Sequence, residues 1–346
     1  MEQRPLIGIL VTKRNSRKRI LELCHRYHNL NLKLIAFTPA DIIWKEQRII
    51  GLGLKKGRWT QSSFPFPYVV YNQSFNKKTV TTQRLEMVLG RNKCFNSINF
   101  FNKWDLYNVL KQSNLKSCVP DTFLYHGVKI SELLKKYKLL YIKPYYGCKG
   151  KSVYRVELTD HGDIHISLHS LAPRIICRKY ENLQEKLDKL LGQKKKYIVQ
   201  QGIRMSQLDQ KYFDIRVLVQ KNIVGEWTVS SLACRVAYKH YFNTSICEAM
   251  YDAAEILPRF FAPLKMNEIL QTLQELSINA AYEAETHIGS LGELSVDFVL
   301  DEHSKLRIME LNGKPQKNIY KDLKSIKHTK LIYSRPMEYA YYLSQN

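Results

Sequence analysis

Three oxygen-bearing side chains near the end of the 346-residue chain are spaced to act together. Asp297 lies in the run Glu293–Leu300, Glu310 and Asn312 lie in the run Leu306–Pro315, and a short polar segment, 301–305, joins the two. Both runs are rich in alternating β-formers, so the segment reads as a β-hairpin. With the turn at His303-Ser304, the register sets Asp297 opposite Glu310, and directly opposed side chains share a face about 5 Å apart at Cβ. Asn312, two residues on, shares that face. Carboxylates this close repel unless a cation lies between them. An all-oxygen set suits Mg²⁺, which keeps waters and borrows phosphate oxygens. Val296–Leu300 otherwise reads as buried, so the charge of Asp297 needs a partner. Asp301 and Glu302 read as solvated acids of the turn.

Candidate cations lie upstream. Lys143 is near the end of the apolar strand 139–144, where an inward-facing lysine needs an anion. The loop Tyr145–Ser152 follows, with Gly147, Cys148, Lys149, Gly150 and Lys151, and then the strand Val153–Glu157. A glycine-rich hairpin tip of this kind offers backbone N–H groups and lysines to phosphates. It is not a Walker loop, because Tyr145 stands where that motif needs glycine and no helix follows. Lys103 opens an amphipathic helix over 102–115, a place unfavourable to a cation unless an anion comes there. Asp214 and Arg216 share a face of the strand 213–219, as a same-strand ion pair, and Arg235 lies in a strand region over 224–237.

The elements that carry these groups follow from periodicity. Leu6–Val11, a helix over 16–29 and Leu32–Phe37 form a βαβ unit on a parallel sheet. The turn after the first strand lacks a glycine fingerprint, so a dinucleotide fold is unsupported. Residues 51–67, with Gly51, Gly53, Gly57, Pro65 and Pro67, read as turns or a loop, and Tyr68–Tyr71 as a strand. A helix over 180–192 ends at Gly192, and the basic run Lys194-Lys195-Lys196 leads into the strand Tyr197–Gln200 and the segment Gln201-Gly202-Ile203. A long helix over 264–286 precedes the acidic hairpin, and the tail after Pro315 reads as helical, aromatic and packed back on the body.

Composition bounds the partners. Hydrophobic residues make up 45% of the chain, enough for a globular core. The net charge of +23 favours anionic company, and residues 1–60 alone hold 13 basic and 4 acidic side chains. The sharpest cluster is Lys13–Arg19. No recognised nucleic-acid motif accompanies this charge, so no specific nucleic-acid partner is expected. Seven cysteines without a C-x-x-C pair argue against a zinc site or a disulfide framework. No apolar run approaches the roughly 20 residues of a membrane helix. The N-terminus runs into a strand without a signal-peptide layout, so a cytoplasmic protein and no membrane partner are expected.

In order, a helix-start lysine, a strand lysine, a glycine hairpin, strand arginines and then Asp with Glu-x-Asn resemble the ATP-grasp superfamily. The likeness is narrowest to the YheC/YheD endospore coat-associated group, in Asn102-Lys103-Trp104, Tyr141–Pro144, Asp214–Val217 and Met309-Glu310-Leu311-Asn312-Gly313-Lys314-Pro315. The resemblance implies an α/β (α+β) architecture. An N-terminal pre-ATP-grasp domain over 1–95 would precede a small lobe with the glycine hairpin over 96–200 and a large lobe with the metal site over 201–346. It implies that Lys103 and Lys143 hold the α/β-phosphates of ATP and that the Gly147–Lys151 hairpin, through Gly147, Gly150 and Lys151, closes over the β/γ-phosphates. Gln200, Gln201 and Ile203 would meet adenine. Asp297, Glu310 and Asn312 would hold one or two Mg²⁺, and Arg216 and Arg235 would steady the transferring phosphoryl group. Position 200 is Gln where many relatives carry an acid.

The implied activity is an ATP- and Mg²⁺-dependent carboxylate–amine (or peptide) ligase working through an acyl phosphate, near spore-coat assembly. Its partners would be a small-molecule or peptide carboxylate, an amine and an acidic acceptor, with spore coat proteins beside them and the coat as a final location. The alternative is a non-catalytic coat-associated protein that keeps the fold.

Overall fold

The computed structural model describes residues 4–75, 80–147, 149–192, 196–323 and 326–346. Cys148 of the glycine loop and Lys194 and Lys195 of the basic run lie outside the described residues.

The first sheet runs in the order Ile42–Ile43, Arg48–Lys55, Lys33–Phe37, Leu6–Leu10, Val69–Asn72, Cys94–Phe95, with Arg58–Pro65 paired to Arg48–Lys55. Leu6–Leu10 is parallel to both its neighbours, as the βαβ reading requires. Residues 51–67 are not a loop but most of an antiparallel hairpin that turns at Lys56-Gly57. Gly57, at φ +75°, makes the turn, whereas Gly51 and Gly53 serve packing. A Cβ on Gly53 would stand 2.9 Å from the Phe64 ring and 3.3 Å from Ile35, so the strand needs its bare backbone to let Phe64 lie across the sheet.

The second sheet is antiparallel, in the order Pro173–Cys177, Ile164–Leu168, Tyr154–Leu158, Leu139–Pro144, Tyr197–Gln201, Thr122–Leu124. Alternation sends Leu140 and Ile142 into a core with the helices Ile130–Tyr137 and Leu183–Leu191. Tyr141 and Lys143 therefore face the other way. The third sheet runs Cys247–Asp252, Trp227–Ala237, Lys211–Lys221, Glu293–Leu300, Leu306–Asn312. Phe213, Ile215, Val217, Val296 and Phe298 pack with Leu273, Ala280 and Ala284 of the helix Pro263–Ile288. The same alternation leaves Asp214, Arg216, Arg235 and Asp297 together on the opposite face, turned toward Tyr141 and Lys143.

The last helix, Ile326–Gln345, joins distant parts of the chain. Met337, Tyr339, Ala340 and Leu343 complete the core of the first sheet, and Ile332 and Tyr333 pack against Leu218 and Ala233 of the third. No helix among the described residues is long and apolar enough to cross a membrane.

Candidate active site

Register places the charged groups. Arg216 is opposite Asp297, and Asp297 is opposite Glu310, so the three form one row across three strands. Asp214 is opposite Arg235. The Asp297–Glu310 pairing arises differently from the sequence expectation. Leu300 pairs with Leu306 and Phe298 with Ile308, one residue off the register of a turn centred on His303-Ser304. An irregularity between Asp297 and Phe298 makes up the difference and leaves Met309 as the extra residue. A bulge re-aims side chains, and here Met309 and Glu310, neighbours in sequence, line the same cavity. Asp301 is not a solvated turn acid. It is buried, accepts the His303 and Lys305 amides at 3.0 and 2.8 Å, and takes Arg307 Nε at 3.0 Å.

The partner of Arg216 is Asp297, not Asp214. Its Nε and Nη2 donate to Oδ1 and Oδ2 of Asp297 at 2.7 and 2.6 Å, a bidentate pair. Arg235 donates Nη2 to Asp297 Oδ2 at 3.0 Å, and Nε to Asp214 Oδ1 at 2.7 Å, with a second bond from Nη2 to Asp214 Oδ2. Thr244 Oγ1 donates to Asp214 Oδ2 at 2.6 Å. All four charged groups are buried. Burial alone would raise Asp297, but the guanidinium groups of Arg216 and Arg235 outweigh it and hold the carboxyl well below the usual carboxylate range.

Lys103 is no loose surface lysine. Asn102 caps its helix by accepting the Trp104 amide, and Lys103 Nζ reaches Glu310 Oε1 at 2.7 Å and the Gly147 carbonyl at 3.2 Å. Lys143 Nζ donates to Gln200 Oε1 at 2.6 Å. Desolvation draws Lys143 down to about 8, against the pull of Glu310. The glycine hairpin folds over this assembly. Gly150 has φ +64°, and a Cβ there would run into the Asn243 side chain. Asn243 Nδ2 is 2.9 Å from His169 Nδ1.

These groups share a cavity of about 110 Å³ lined by Lys103, Lys143, Lys151, Asp297 and Glu310, with Tyr141, Met205, Phe242 and Met309 as apolar walls. A smaller one of about 40 Å³ adjoins it through Lys103, Lys143, Met309 and Glu310 and reaches Gln200. Small-molecule sites usually span about 300–1,000 Å³, so the cleft as it stands is too narrow for a nucleotide. Gln201 and Ile203 line neither space. Gln201 Oε1 accepts the Asp121 amide at 3.2 Å, and Ile203 is buried. The segment Phe242-Asn243-Thr244 escaped the sequence reading. It lies between strands, without periodicity or motif, and only the fold carries it to the site.

The sequence model described as YheC/D like ATP-grasp matches residues 91–343. The chain belongs to this YheC/D-like ATP-grasp family. It is 28% identical over 322 residues to the endospore coat-associated protein YheD of Bacillus subtilis (strain 168), covering 89% of this chain and 70% of YheD. It is 23% identical over 340 residues to YheC of the same organism, covering 93% of this chain and 91% of YheC. Among solved structures, the D-alanine–D-alanine ligase from Coxiella burnetii superposes with a TM-score of 0.52 at 12% identity, covering 99% of this chain and 97% of the ligase. A carboxyaminoimidazole ribonucleotide synthase from Aspergillus clavatus, complexed with ATP, gives 0.52 at 14% identity, covering 91% and 72%. These likenesses establish the ATP-grasp fold.

The donor set of this ATP-grasp cleft fits Mg²⁺. Asp297 and Glu310 are opposed, and Asn312 Nδ2 donates to Asp297 Oδ2 at 3.5 Å. A carboxylate offers about four lone-pair sites; Asp297 gives three to guanidinium donors and the fourth to the Asn312 amide, so a metal would take the place of that amide N–H. No cluster of three or more His, Cys, Asp or Glu side chains among the described residues could cage a metal. Such a set suits an ion that brings phosphate and water ligands with it.

Proposed function

We propose that this protein is an ATP- and Mg²⁺-dependent carboxylate–amine (or peptide) ligase. One observation carries the reading: Lys103, Lys143, Lys151, Arg235, Asp297 and Glu310 converge on one cleft beneath a glycine hairpin. Its lining and the Arg216 behind it hold five cations against the carboxylates Asp214, Asp297 and Glu310. The cleft therefore favours a net anion, and a magnesium–nucleotide complex is one, whereas bare Mg²⁺ is repelled.

When bound, ATP would supply the phosphoryl group: a substrate carboxylate oxygen attacks the γ-phosphorus, the bond to the β-phosphate oxygen breaks, and an amine then displaces phosphate from the acyl carbon with loss of a proton. Lys103 and Lys143 would exchange Glu310 and Gln200 for phosphate oxygens. Asp297, Glu310 and Asn312 would hold the metal, and Arg216 would keep Asp297 oriented for it. Arg235 lines the cleft and would face the transferring group. Gly147, Gly150 and Lys151 would cover the β/γ-phosphates after the hairpin lifts to admit them. The Gln200 amide would meet adenine from the smaller space, with Gln201 and Ile203 shaping the backbone beside it. No protein nucleophile is needed, because phosphoryl transfer is catalysed chiefly by positioning and charge neutralisation. The three-part domain division at 95 and 200 and a role beside the spore coat belong to the same reading, the latter supported by the coat-associated relatives.

The narrow cleft, with Lys103 paired to Glu310 and Arg235 to Asp214 and Asp297, favours a second reading in which a coat-associated protein keeps the fold without turnover. ADP release measured against a panel of carboxylates and amines separates the two. Release that requires Mg²⁺ and a carboxylate supports the ligase, and absence of ADP release from MgATP across the panel supports the structural reading.

A further inference from the structure

A second cavity, of about 530 Å³, opens at the C-terminal ends of the first sheet's central strands. Topology creates it. From Leu6–Leu10 the chain passes through the helix Arg17–Tyr27 to Lys33–Phe37 on one side, and Val69–Asn72 lies on the other. The crevice beyond Leu10 and Asn72 is thus a point where strand order reverses, the place where open parallel sheets bind ligands. Lys13 and Gln73, just past these strands, form part of its wall, with Arg19, Tyr333, and Lys314 and Lys317 from the loop that follows Asn312.

Among the described residues that line it, four are cationic and none is acidic. One charge is answered from below, because Lys317 Nζ lies 2.7 Å from Oε2 of the buried Glu293. Two others have neutral acceptors. Arg19 Nη2 donates to the Asn318 amide oxygen at 2.8 Å, and Lys314 donates to the Gln73 carbonyl while lying 5.7 Å over the Phe75 ring. Lys13 is exposed at the rim. The helix Arg17–Tyr27 adds to the field, since its first turn holds no acid and Ser16 makes no side-chain cap. Three cations without a carboxylate, in a cleft of small-molecule size, call for more than one negative charge. The cleft is tied to the metal hairpin by chain continuity, since Lys314 stands two residues beyond Asn312.

We propose that this cleft is the acceptor-substrate site and takes a small molecule or peptide end bearing clustered negative charge, as phosphate or as adjacent carboxylates. The assignment to the acceptor rests on the ligase reading; the binding of the anion does not. The test is calorimetric titration of the full chain with inorganic pyrophosphate and, separately, with a triglutamate peptide. It compares wild type, Arg19→Gln, the pair Arg19→Gln/Lys314→Gln, and Lys265→Gln as a control at an exposed lysine elsewhere. Saturable binding of either probe, weakened about tenfold in the pair, about threefold in Arg19→Gln and unchanged in Lys265→Gln, is expected for charge-assisted contacts. The probe that binds tells phosphate from carboxylate; only triglutamate carries a carboxylate able to take the γ-phosphoryl group, so it alone should quicken ADP release, with MgATP affinity equal in all variants. Absence of saturation with both probes, or equal affinity in Arg19→Gln and wild type, overturns the site. Triglutamate binding without faster ADP release overturns the acceptor role. Failure of MgATP to bind while a probe still does removes the ligase reading and leaves the anion site standing.

Discussion

The hairpin that bears Asp297 and Glu310 and the glycine hairpin that faces it across the cleft are built in opposite ways. In the first, every residue of Glu293–Leu300 is buried, and the carboxylate of Asp297 is held by three guanidinium bonds before any ligand arrives. In the second, Lys149 and Lys151 are exposed, and Lys149, Gly150 and Ser152 all take positive φ. One is fixed by packing and charge pairing; the other is held shut by light contacts such as Gly150 against Asn243. The contrast supports the proposed reading, in which the acidic hairpin presets charge and the glycine hairpin lifts to admit the nucleotide.

Substitutions can break or sharpen that contrast. Asp297→Asn has the largest expected effect, because it strands Arg216 and leaves Arg235 with Asp214 alone. Breaking a buried pair costs about 3–5 kcal/mol, which urea unfolding would register along with loss of MgATP binding. Glu310→Gln should separate the two properties. Glu310 is partly exposed and, among the described residues, ion-paired with Lys103 alone, so the fold should lose about 1 kcal/mol or less while Mg²⁺-dependent nucleotide binding disappears.

Lys143→Met should move stability and function in opposite directions. Nucleotide affinity should fall by about 1–3 kcal/mol, as for a charge-assisted contact, and the fold should gain on the order of 2 kcal/mol at pH 7 through removal of a desolvated cation. The pH dependence gives the sign check. Lys143 titrates at about 8 in the folded protein against 10.5 when unperturbed, so the unfolded chain binds more protons between these values. Wild-type stability should therefore rise through that window relative to Lys143→Met, and MgATP affinity should decline as pH climbs past 8. A flat comparison would remove Lys143 from the phosphate site. Gly150→Ala should have a small effect on stability, comparable to that of Glu310→Gln. Its Cβ would meet Asn243 at positive φ, so turnover should slow while unfolding shifts by about 1 kcal/mol.

The sequence makes some of this legible and hides the rest for identifiable reasons. Alternation alone sorts Asp214, Arg216 and Asp297 from their apolar neighbours, and the opposition of Asp297 and Glu310 follows from two short runs and a turn. Both are local. The bulge at Met309 is not, and the inferred register came out right at Glu310 only because the bulge offset a turn placed one residue late. The exchange of Asp214 for Asp297 as the partner of Arg216 depends on the pairing of strands some 80 residues apart. Gly51 and Gly53 read as loop residues because their reason, room for Phe64, is tertiary. Asn243 and Thr244 reach the site on an irregular segment that no periodicity marks.

The central claim, that the opposed acids form a metal–nucleotide site, is tested most directly by calorimetric titration of the wild type and Glu310→Gln with MgATP, with ATP alone and with Mg²⁺ alone. Tight binding of MgATP to the wild type is expected, with weaker binding of ATP, none of Mg²⁺ alone, and loss of the Mg²⁺ dependence in Glu310→Gln. Equal binding of MgATP by both proteins, or binding by neither, would contradict it.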